Sequence, residues 1–405
     1  MPAQPIYLDH HATTPVDPRV VAAMAPYWSE DFGNASSRTH RFGWRAEAAV
    51  EQARERIAAA IGAADPREIV FTSGATESDN LALQGVLAAH AGAGDHLISV
   101  ATEHAAVLNT ATEHAAVLDT LRALGGRGAR VTLLPVDGEG RVDPGDVAKA
   151  IEPRTLLVSV GAANGEIGTL QPLAEVARVC GERDVLFHSD AAQAVGKIPL
   201  DVEALGLELL SVSAHKLYGP KGVGALYVRR RRRSGARLRL EPMLHGGGQE
   251  RGLRSGTLPV PLIVGFAEAV AIAQAERDGE AARLAALRDG LLETLRRELP
   301  GVHANGPAGG RLPGNLNVSF DGVEADALLA QLADVALSTG SACSSARPEP
   351  SHVLAALGLS PERARGALRI GLGRGNRRDE VERAAQRIVA EVRRIRGERA
   401  ALAAR

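Results

Sequence analysis

The chain has 405 residues, and its 47 basic side chains nearly balance its 48 acidic ones, which argues against a protein that coats nucleic acid. Its two cysteines, Cys180 and Cys343, are too few for a disulfide framework or a cysteine zinc cluster, and 3% aromatic residues disfavour base stacking. With no apolar run of about 18 residues and no signal peptide, we expect a cytoplasmic protein that contacts neither membranes nor nucleic acid directly.

Short apolar strands alternate with helical segments through the first part of the chain. The predicted strands cover residues 69–72, 96–100, 131–134, 156–160, 185–188 and 209–213, and the predicted helices include residues 45–61, 77–90 and 173–183. This alternation predicts an α/β fold with a largely parallel sheet covered on both faces. Ligands of such sheets bind at the carboxyl ends of the strands.

The pattern changes near Pro259. A long helical stretch follows over residues 262–299, where Gly279 offers a break, and then come a strand at 316–320, a helix at 325–333 and a final helix at 379–396. We therefore predict a large domain over residues 15–260 and a smaller α/β domain over residues 261–405, with residues 1–14 packing on the smaller domain.

A tandem duplication of ten residues interrupts the first part. Residues 101–110 read ATEHAAVLNT and residues 111–120 read ATEHAAVLDT. One long helix could absorb the repeat, because Leu108, Ala111, Ala115 and Leu118 still fall at helical spacing.

Lysine is rare in this chain, since only Lys149, Lys197, Lys216 and Lys221 are lysines and the other 43 basic residues are arginines. Arginine cannot form a Schiff base, so each of the few lysines is a candidate for a role that requires its amine. Lys216 follows the predicted strand that ends at Ser213, with His215 beside it. An imine to pyridoxal phosphate is expected at such a place, although a surface lysine fits the same pattern.

Two further strand ends carry polar groups. Asp190 closes a predicted buried strand, where a carboxylate is costly unless a cation such as a pyridinium nitrogen pairs with it. An N-cap of the following turn is the alternative. Ser73-Gly74-Ala75-Thr76-Glu77 joins a strand to a helix and could hold a phosphate at the helix N-terminus, or form a simple capped turn.

The two cysteines lie in different surroundings. Cys343 sits in the small-residue loop 338–345, which suits a mobile nucleophilic thiol, whereas Cys180 lies on a predicted helix and fits core packing. The five arginines at residues 229–233 predict a solvated loop or a docking patch for an acidic partner.

Together these motifs resemble the cysteine desulfurases, the pyridoxal-phosphate enzymes of aminotransferase class V, in their IscS/NifS branch. The resemblance covers about residues 6–390 and includes YLDHHATTP, FGNASS, EIVFTSGATESDN, SDAAQAVGK, SAHKLYGPKGVGALY, HGGGQERGLRSGT, STGSACSS and LRIGLGR. It implies fold type I of the pyridoxal-phosphate enzymes, with a mostly parallel seven-stranded sheet in the large domain.

The resemblance also implies a role for each matching residue. Lys216 should carry the cofactor and shuttle the α-proton, Asp190 should hold the ring nitrogen, and Gln193 should hold the phenolate oxygen. Arg369 should clamp the substrate carboxylate, where a bidentate fork suits the task. The remaining implied roles are phosphate binding by Ala75, Thr76, Ser213 and His215, phosphate binding across subunits by Thr257, substrate binding by Asn34, and proton relay by His104.

The implied reaction removes sulfur from L-cysteine, gives L-alanine and leaves a persulfide on Cys343. A homodimer is implied because Thr257 should complete the partner's site, and the sulfur acceptor should be an iron–sulfur scaffold or a tRNA-thiolation protein. No resident metal is expected, apart from a transient ligation of a cluster by Cys343. A selenocysteine lyase or another class V enzyme is the alternative activity.

Two departures from the family pattern stand out. The family usually has Asn-Asn-Glu where this chain has Asn164-Gly165-Glu166, so the second asparagine, which contacts the cofactor and substrate, is a glycine. The duplication offers both His104 and His114 for one role. We favour His104, because it follows the predicted strand at residues 96–100, and extra residues further along the chain only lengthen a helix or a loop.

Overall fold

A computed structural model describes residues 5–103, 116–232, 234–339 and 351–403. Among these residues, seven strands form a central sheet in the order β2-β8-β7-β6-β5-β3-β4. They are β2 Ile69–Thr72, β3 His96–Val100, β4 Arg130–Leu134, β5 Thr155–Ser159, β6 Leu186–Asp190, β7 Leu209–Ser213 and β8 Gly224–Val228. Apart from the edge strand β4, which is largely exposed, their residues are almost all buried, as expected for strands covered on both faces.

The sheet is mostly parallel, as predicted. Strands β3 to β7 pair in parallel, whereas β8 runs antiparallel to both of its neighbours, β2 and β7. Strands β5, β6 and β7 end at Ser159, Asp190 and Ser213. Because these three strands are adjacent and parallel, their carboxyl ends meet at one edge of the sheet.

Helices cover both faces of the sheet and extend beyond it. In chain order they are α1 Pro18–Met24, α2 Pro26–Ser29, α3 Arg41–Ile61, α4 Ala75–Ala89, α5 Ala116–Gly125, α6 Pro144–Ala150, α7 Leu173–Glu182, α8 Val202–Leu205, α9 Val260–Glu298, α10 Ala325–Leu329, α11 His352–Ala356, α12 Pro361–Arg365 and α13 Arg378–Ala403. No helix among the described residues is long and apolar enough to cross a membrane.

Three antiparallel strands form a second sheet in the order β12-β10-β9. A separate pair of strands brings the N-terminal segment next to this second sheet. The three strands are β9 Val302–Asn305, β10 Asn315–Phe320 and β12 Ala367–Gly371, and the pair is β1 Ile6–Tyr7 with β11 Val335–Ala336. Asp9 bridges to Gly371 at the end of β12.

The buried apolar side chains form separate clusters around the two sheets. Two clusters cover the faces of the central sheet, and another contains β10, β12 and the inner face of α13. Helix α9 joins them, since Ile263 and Phe266 belong to a cluster of the central sheet whereas Leu291 and Leu295 belong to that of the smaller sheet. The division of the chain into domains at residue 260 stays a prediction.

The structure corrects two expectations for the helices. Helix α9 runs from Val260 to Glu298 without the break expected near Gly279, because a single exposed glycine costs a helix only about 1 kcal/mol and nothing there forces a kink. The helix expected over residues 325–333 ends at Leu329. Cys180 is 1% exposed in the core, as expected for a packing residue.

The arginine run after β8 pairs with acidic side chains of its own chain. Arg229 lies 3.1 Å from Glu203, and Arg230 lies 2.6 Å from Asp65. Arg232 pairs with Asp184 at 3.0 Å, and Arg233 is outside the described residues. Part of the charge that suggested a docking patch is therefore balanced within the chain.

Candidate active site

A cleft opens where the central sheet meets the smaller one. It encloses about 820 Å³ of space that reaches solvent. It is lined by the N-terminal segment, the ends of strands β3, β6 and β7, the loop after β5, the start of α11 and strand β12. Its polar lining residues are His11, Thr102, Glu103, Asn164, Glu166, Gln171, Asp190, Gln193, Lys216, His352 and Arg369.

The amine of Lys216 projects into this cleft from a short turn that directly follows β7. Its Nζ donates to the backbone carbonyls of His11 and Ala12, each at 2.7 Å. The N-terminal segment is held here by Thr14, which donates to the His215 carbonyl through both its backbone nitrogen and its hydroxyl. The cleft thus offers a primary amine on a fixed backbone, which imine chemistry requires.

Asp190 ends β6 and lines the same cleft. Burial raises the pKa of its carboxyl group, and the nearby charge of Lys216 opposes that shift. Its Oδ1 accepts a hydrogen bond from the backbone nitrogen of Ala192 at 2.8 Å, so the turn-capping alternative is also true. A cation bound against this carboxylate would offset the cost of burying it.

The start of α4 forms an anion-compatible corner beside β7. Gly74 precedes the helix with a φ of 156° and no side-chain cap, which leaves the first-turn amides without that partner. A Cβ on Gly224 would lie 2.7 Å from the Cα of Gly74, and Gly224 pairs with Ser213 across the sheet. Ala75 and Ser213 are therefore brought to one corner, where the helix dipole favours a phosphate.

Arg369 lies on β12 and is only 4% exposed. One of its terminal nitrogens donates to Asp9 at 2.8 Å, and Asp9 also accepts from the Ser338 hydroxyl at 3.0 Å. Its Nε has no hydrogen-bond partner among the described residues. A buried donor without a partner in the cleft wall suits an anionic ligand such as a carboxylate.

Several polar residues of the cleft were not anticipated from the sequence. Glu166 is buried, and burial raises the pKa of its carboxyl group to about 7 against the opposing influence of Ser351 and Arg369. His11 and Lys197 both approach Gln193. The rarity of lysine was a signal for Lys197. His11 and Glu166 lie in motifs that the sequence analysis used, but no role was predicted for them, because only the folding of distant segments brings them to the cleft.

Other predicted site residues do not line the cleft of this chain. Asn34 and Thr257 are exposed, and the Asn34 side chain accepts from the backbone nitrogen of Ser36 at 2.9 Å. His215 lies behind Lys216 with its Nδ1 3.1 Å from the Thr13 hydroxyl. The predicted roles of His104 and Cys343, and the choice between His104 and His114, fall outside the described residues.

Asn164, the neighbour of Gly165, holds the loop after β5 through hydrogen bonds of its side chain. The Asn164 side chain donates to the Thr102 carbonyl at 2.9 Å and accepts from the backbone nitrogens of Glu166 and Ile167 at 2.8 and 3.0 Å. Through these bonds, the Asn164 side chain fixes the backbone of the loop.

A family model described as aminotransferase class-V matches residues 6–384. A curated protein named cysteine desulfurase IscS, from Anaeromyxobacter dehalogenans (strain 2CP-C), is 52% identical over 392 residues, which cover 97% of this chain and 93% of that protein. A human protein named cysteine desulfurase is 49% identical over 393 residues, covering 97% of this chain and 83% of that protein.

Solved structures agree with the curated relatives. A structure named NifS-like protein superposes with a TM-score of 0.85 at 37% identity, covering 96% of this chain and 99% of the other. A structure described as SspA in complex with cysteine has a TM-score of 0.78 at 38% identity, covering 91% of this chain and 98% of the other. The family match spans every segment that contributes Lys216, Asp190, Gln193 and Arg369 to the cleft.

Proposed function

This chain belongs to the aminotransferase class V family and, within it, to the cysteine desulfurases, and on that premise we propose that it binds pyridoxal 5'-phosphate at Lys216 and takes sulfur from L-cysteine onto Cys343. The observation that carries the proposal is the convergence of Lys216, Asp190, Gln193 and Arg369 on one cleft. These groups supply an amine, a buried carboxylate, an amide and a guanidinium, which suit the cofactor and an amino-acid substrate.

The residues present fit the cofactor. Lys216 would hold it covalently, Asp190 would pair with its ring nitrogen, and the start of α4 with Ser213, His215 and Thr76 would hold its phosphate. The buried carboxylate of Asp190 supports this assignment, because it gains a cationic partner. When bound, the cofactor supplies an electron-withdrawing ring that allows the substrate's α-proton to leave and its carbon–sulfur bond to break.

The chain's own residues then perform the remaining tasks. Arg369, held by Asp9, binds the substrate carboxylate with its guanidinium fork. The Nζ of Lys216, once released, accepts the α-proton, and His104 relays protons at the cofactor. These roles extend the family's pattern to this chain at the matching positions.

Cys343 performs the sulfur transfer in this proposal. Its thiolate forms a bond to the sulfur of L-cysteine while the bond between that sulfur and the substrate's β-carbon breaks. The β-carbon gains a proton, alanine leaves, and the transferred sulfur stays on Cys343 as a persulfide. The loop would then deliver it to an iron–sulfur scaffold or a tRNA-thiolation protein.

A homodimer completes the proposed site. Thr257 is exposed and does not line the cleft of its own chain, which supports a role in the partner's phosphate site. The stretch between β8 and α9, which contains Thr257, also carries the exposed apolar side chains of Met243 and Leu244. Elsewhere in the chain, the exposed rings of Phe32 and Phe42 stack on each other. Exposed apolar groups of this size are typical of surfaces that a partner covers.

The two cysteines and the rare lysines provide matched variants for the test. In Cys343→Ala we expect the visible absorbance of the bound cofactor to remain and alanine formation from L-cysteine to stop, because the sulfur has no acceptor. Cys180→Ala, which changes the other, buried cysteine, should keep turnover.

Borohydride reduction should leave a permanent cofactor adduct on the Lys216 peptide of wild type and of the exposed-site variant Lys221→Ala, but not of Lys216→Ala.

Either of two results would refute the proposal. Undiminished turnover in Cys343→Ala would remove this thiol from the reaction. A cofactor-loaded protein that yields no adduct at Lys216 would remove the covalent link on which the chemistry depends.

A further inference from the structure

The carboxamide of Gln193 is held from both of its ends. Lys197 Nζ donates to Gln193 Oε1 at 2.9 Å, and His11 Nδ1 lies 3.2 Å from the same oxygen. At the other end, Gln193 Nε2 donates to the His11 carbonyl at 2.9 Å. A carbonyl oxygen can only accept, so the contact with the His11 carbonyl fixes which end of the carboxamide is nitrogen and which is oxygen.

The tautomer of His11 follows from the same contact. The ring is fully buried, and burial together with the charges of Lys197 and Arg369 keeps its pKa well below the usual value, so it is neutral. Since Gln193 Oε1 can only accept, His11 Nδ1 carries the proton. Lys197 and His11 therefore both donate to one oxygen and leave the N–H2 group of Gln193 on the side of Lys216, which shares the His11 carbonyl at 2.7 Å.

Glycine at position 165 provides the space for this arrangement. A Cβ there would lie 2.7 Å from Nε2, 3.0 Å from Cδ and 3.2 Å from Cγ of Gln193. The backbone could not easily move away, because Asn164 binds the nitrogens of the next residues and the Gly165 carbonyl accepts from Asn315 at 3.1 Å. With the backbone as it is in this structure, a side chain at 165 would push the end of the Gln193 side chain aside.

We propose that Lys197, His11 and Gly165 act together as positioning residues that hold the carboxamide of Gln193 with its N–H2 group toward Lys216. The proposal rests on the proposed function, because it concerns Lys216 joined to pyridoxal phosphate with Gln193 at the phenolate oxygen. A donor held at that oxygen draws negative charge away from it. The oxygen then retains the proton on the Lys216 nitrogen less strongly, and that proton is lost at a lower pH.

Charged groups around Lys216 affect the same proton and must be separated from this effect. The carboxyl group of Asp190 lies near Lys216, and so do the nitrogen groups of Lys197 and Arg369, where burial lowers the pKa of Lys197 to about 7. Burial and the charge of Lys216 lower the pKa of His215 to about 4, which keeps it neutral. Removal of Lys197 would change both the charge and the orientation of Gln193. The decisive variant is Gly165→Ala, because it adds one methyl group and no charge.

The test titrates the visible absorbance of the Lys216-bound cofactor in the holoenzyme. For Gly165→Ala and for Gln193→Ala we expect the midpoint to rise by about one pH unit, which is the size expected for the loss of a hydrogen bond to a charged group. The double variant should match Gln193→Ala, because Gly165 acts through Gln193. Gly279→Ala is the control, since it adds the same methyl group where nothing lies within 4 Å.

A second pair of variants serves if Gly165→Ala does not fold. Lys197→Gln keeps a donor without the charge, whereas Lys197→Met keeps neither, so the Met variant should shift the midpoint further than the Gln variant. An unchanged midpoint in Gly165→Ala, additive effects in the double variant, or equal shifts for Gln and Met would overturn the proposal. If wild type shows no cofactor absorbance that titrates, the proposed function itself fails, and the two failures are distinct.

Discussion

Glu166 makes the stability of this fold depend on pH through one carboxyl group. Its Oε1 has no hydrogen-bond partner among the described residues, and burial raises its pKa from the usual 4.5 to about 7. The folded chain therefore holds this proton at pH values where the unfolded chain has released it. Stability from this group is complete below pH 4.5 and is lost as the pH rises toward 7.

The corresponding variant is Glu166→Gln, which keeps the shape and cannot ionise. We expect its stability relative to wild type to improve by up to about 3 kcal/mol as the pH rises from 4.5 to above 7, because only wild type has to bury a carboxylate there. Thermal unfolding of both proteins across that range measures the difference. Glu175→Gln, at an exposed position of α7, controls for the loss of one charge, and a difference that stays constant with pH would contradict the expectation.

For single residues, the sequence predicted the reactive side chains better than the side chains that position them. The rarity of lysine singled out four positions. The structure places Lys216 in the cleft and Lys197 against the cleft residue Gln193, but leaves Lys149 and Lys221 exposed. The roles of His11 and Asp9 could not be predicted from residue type, because they depend on where the N-terminal segment docks. Local pattern holds no information about that docking.

At the scale of elements, a buried ion pair joins helix α3 to the glycine-rich segment before α9. Arg54 of α3 makes two bonds of 2.8 Å to the Glu250 carboxylate and one of 2.6 Å to the Ile69 carbonyl. Glu250 also accepts from the backbone nitrogen of Phe71 at 2.8 Å. The two side chains are 3% and 1% exposed, so each is the other's main compensation for lost hydration.

We expect Glu250→Ala to destabilise the protein by about 3–5 kcal/mol, because it leaves the charge of Arg54 buried without its partner. The double variant Arg54→Met/Glu250→Leu should recover part of that loss, since it removes both charges. Chemical denaturation monitored by circular dichroism gives the two free energies of unfolding. A loss below about 1 kcal/mol in Glu250→Ala would mean that water or Glu51, which lies 3.1 Å from Arg54, compensates the charge of Arg54.

The hydrophobic pattern of the sequence predicted most strands of the central sheet. It missed strand β12 of the smaller sheet, for a physical reason. Strands β2, β3 and β7 have the predicted bounds, because an apolar run between turn residues leaves little choice. Strand β12, which carries Arg369, was not predicted as a strand. Its five residues are all buried, including the arginine. The pairing with β10 and the bond to Asp9 offset the cost of burying the arginine there.

At the scale of the whole molecule, the cleft depends on segments from both sheets. Asp190 and Lys216 come from the central sheet and Arg369 from the smaller one, and α9 belongs to the apolar clusters of both. Thr257 and Asn34 are exposed and do not line this cleft. The exposed position of Thr257 agrees with the proposal that it acts in the site of a partner subunit.

A mixing experiment tests the homodimer at this scale. Lys216→Ala chains lack the amine, and Thr257→Ala chains should bind the cofactor weakly, so each variant alone should be poorly active. If the two chains exchange subunits, the mixed dimer holds one site with an intact Lys216 and an intact Thr257, and activity should return. Mixing Lys216→Ala with Gln193→Ala is the control. Full activity of Thr257→Ala as a monomer would contradict the expectation.

The burial of Cys180 has a practical consequence for work on this protein. A thiol-reactive fluorophore cannot reach a side chain that is 1% exposed in a packed helix face while the chain stays folded. Any label that enters in native buffer therefore reports on Cys343, the other cysteine of the sequence, and the equivalent on Cys180 enters only after denaturation.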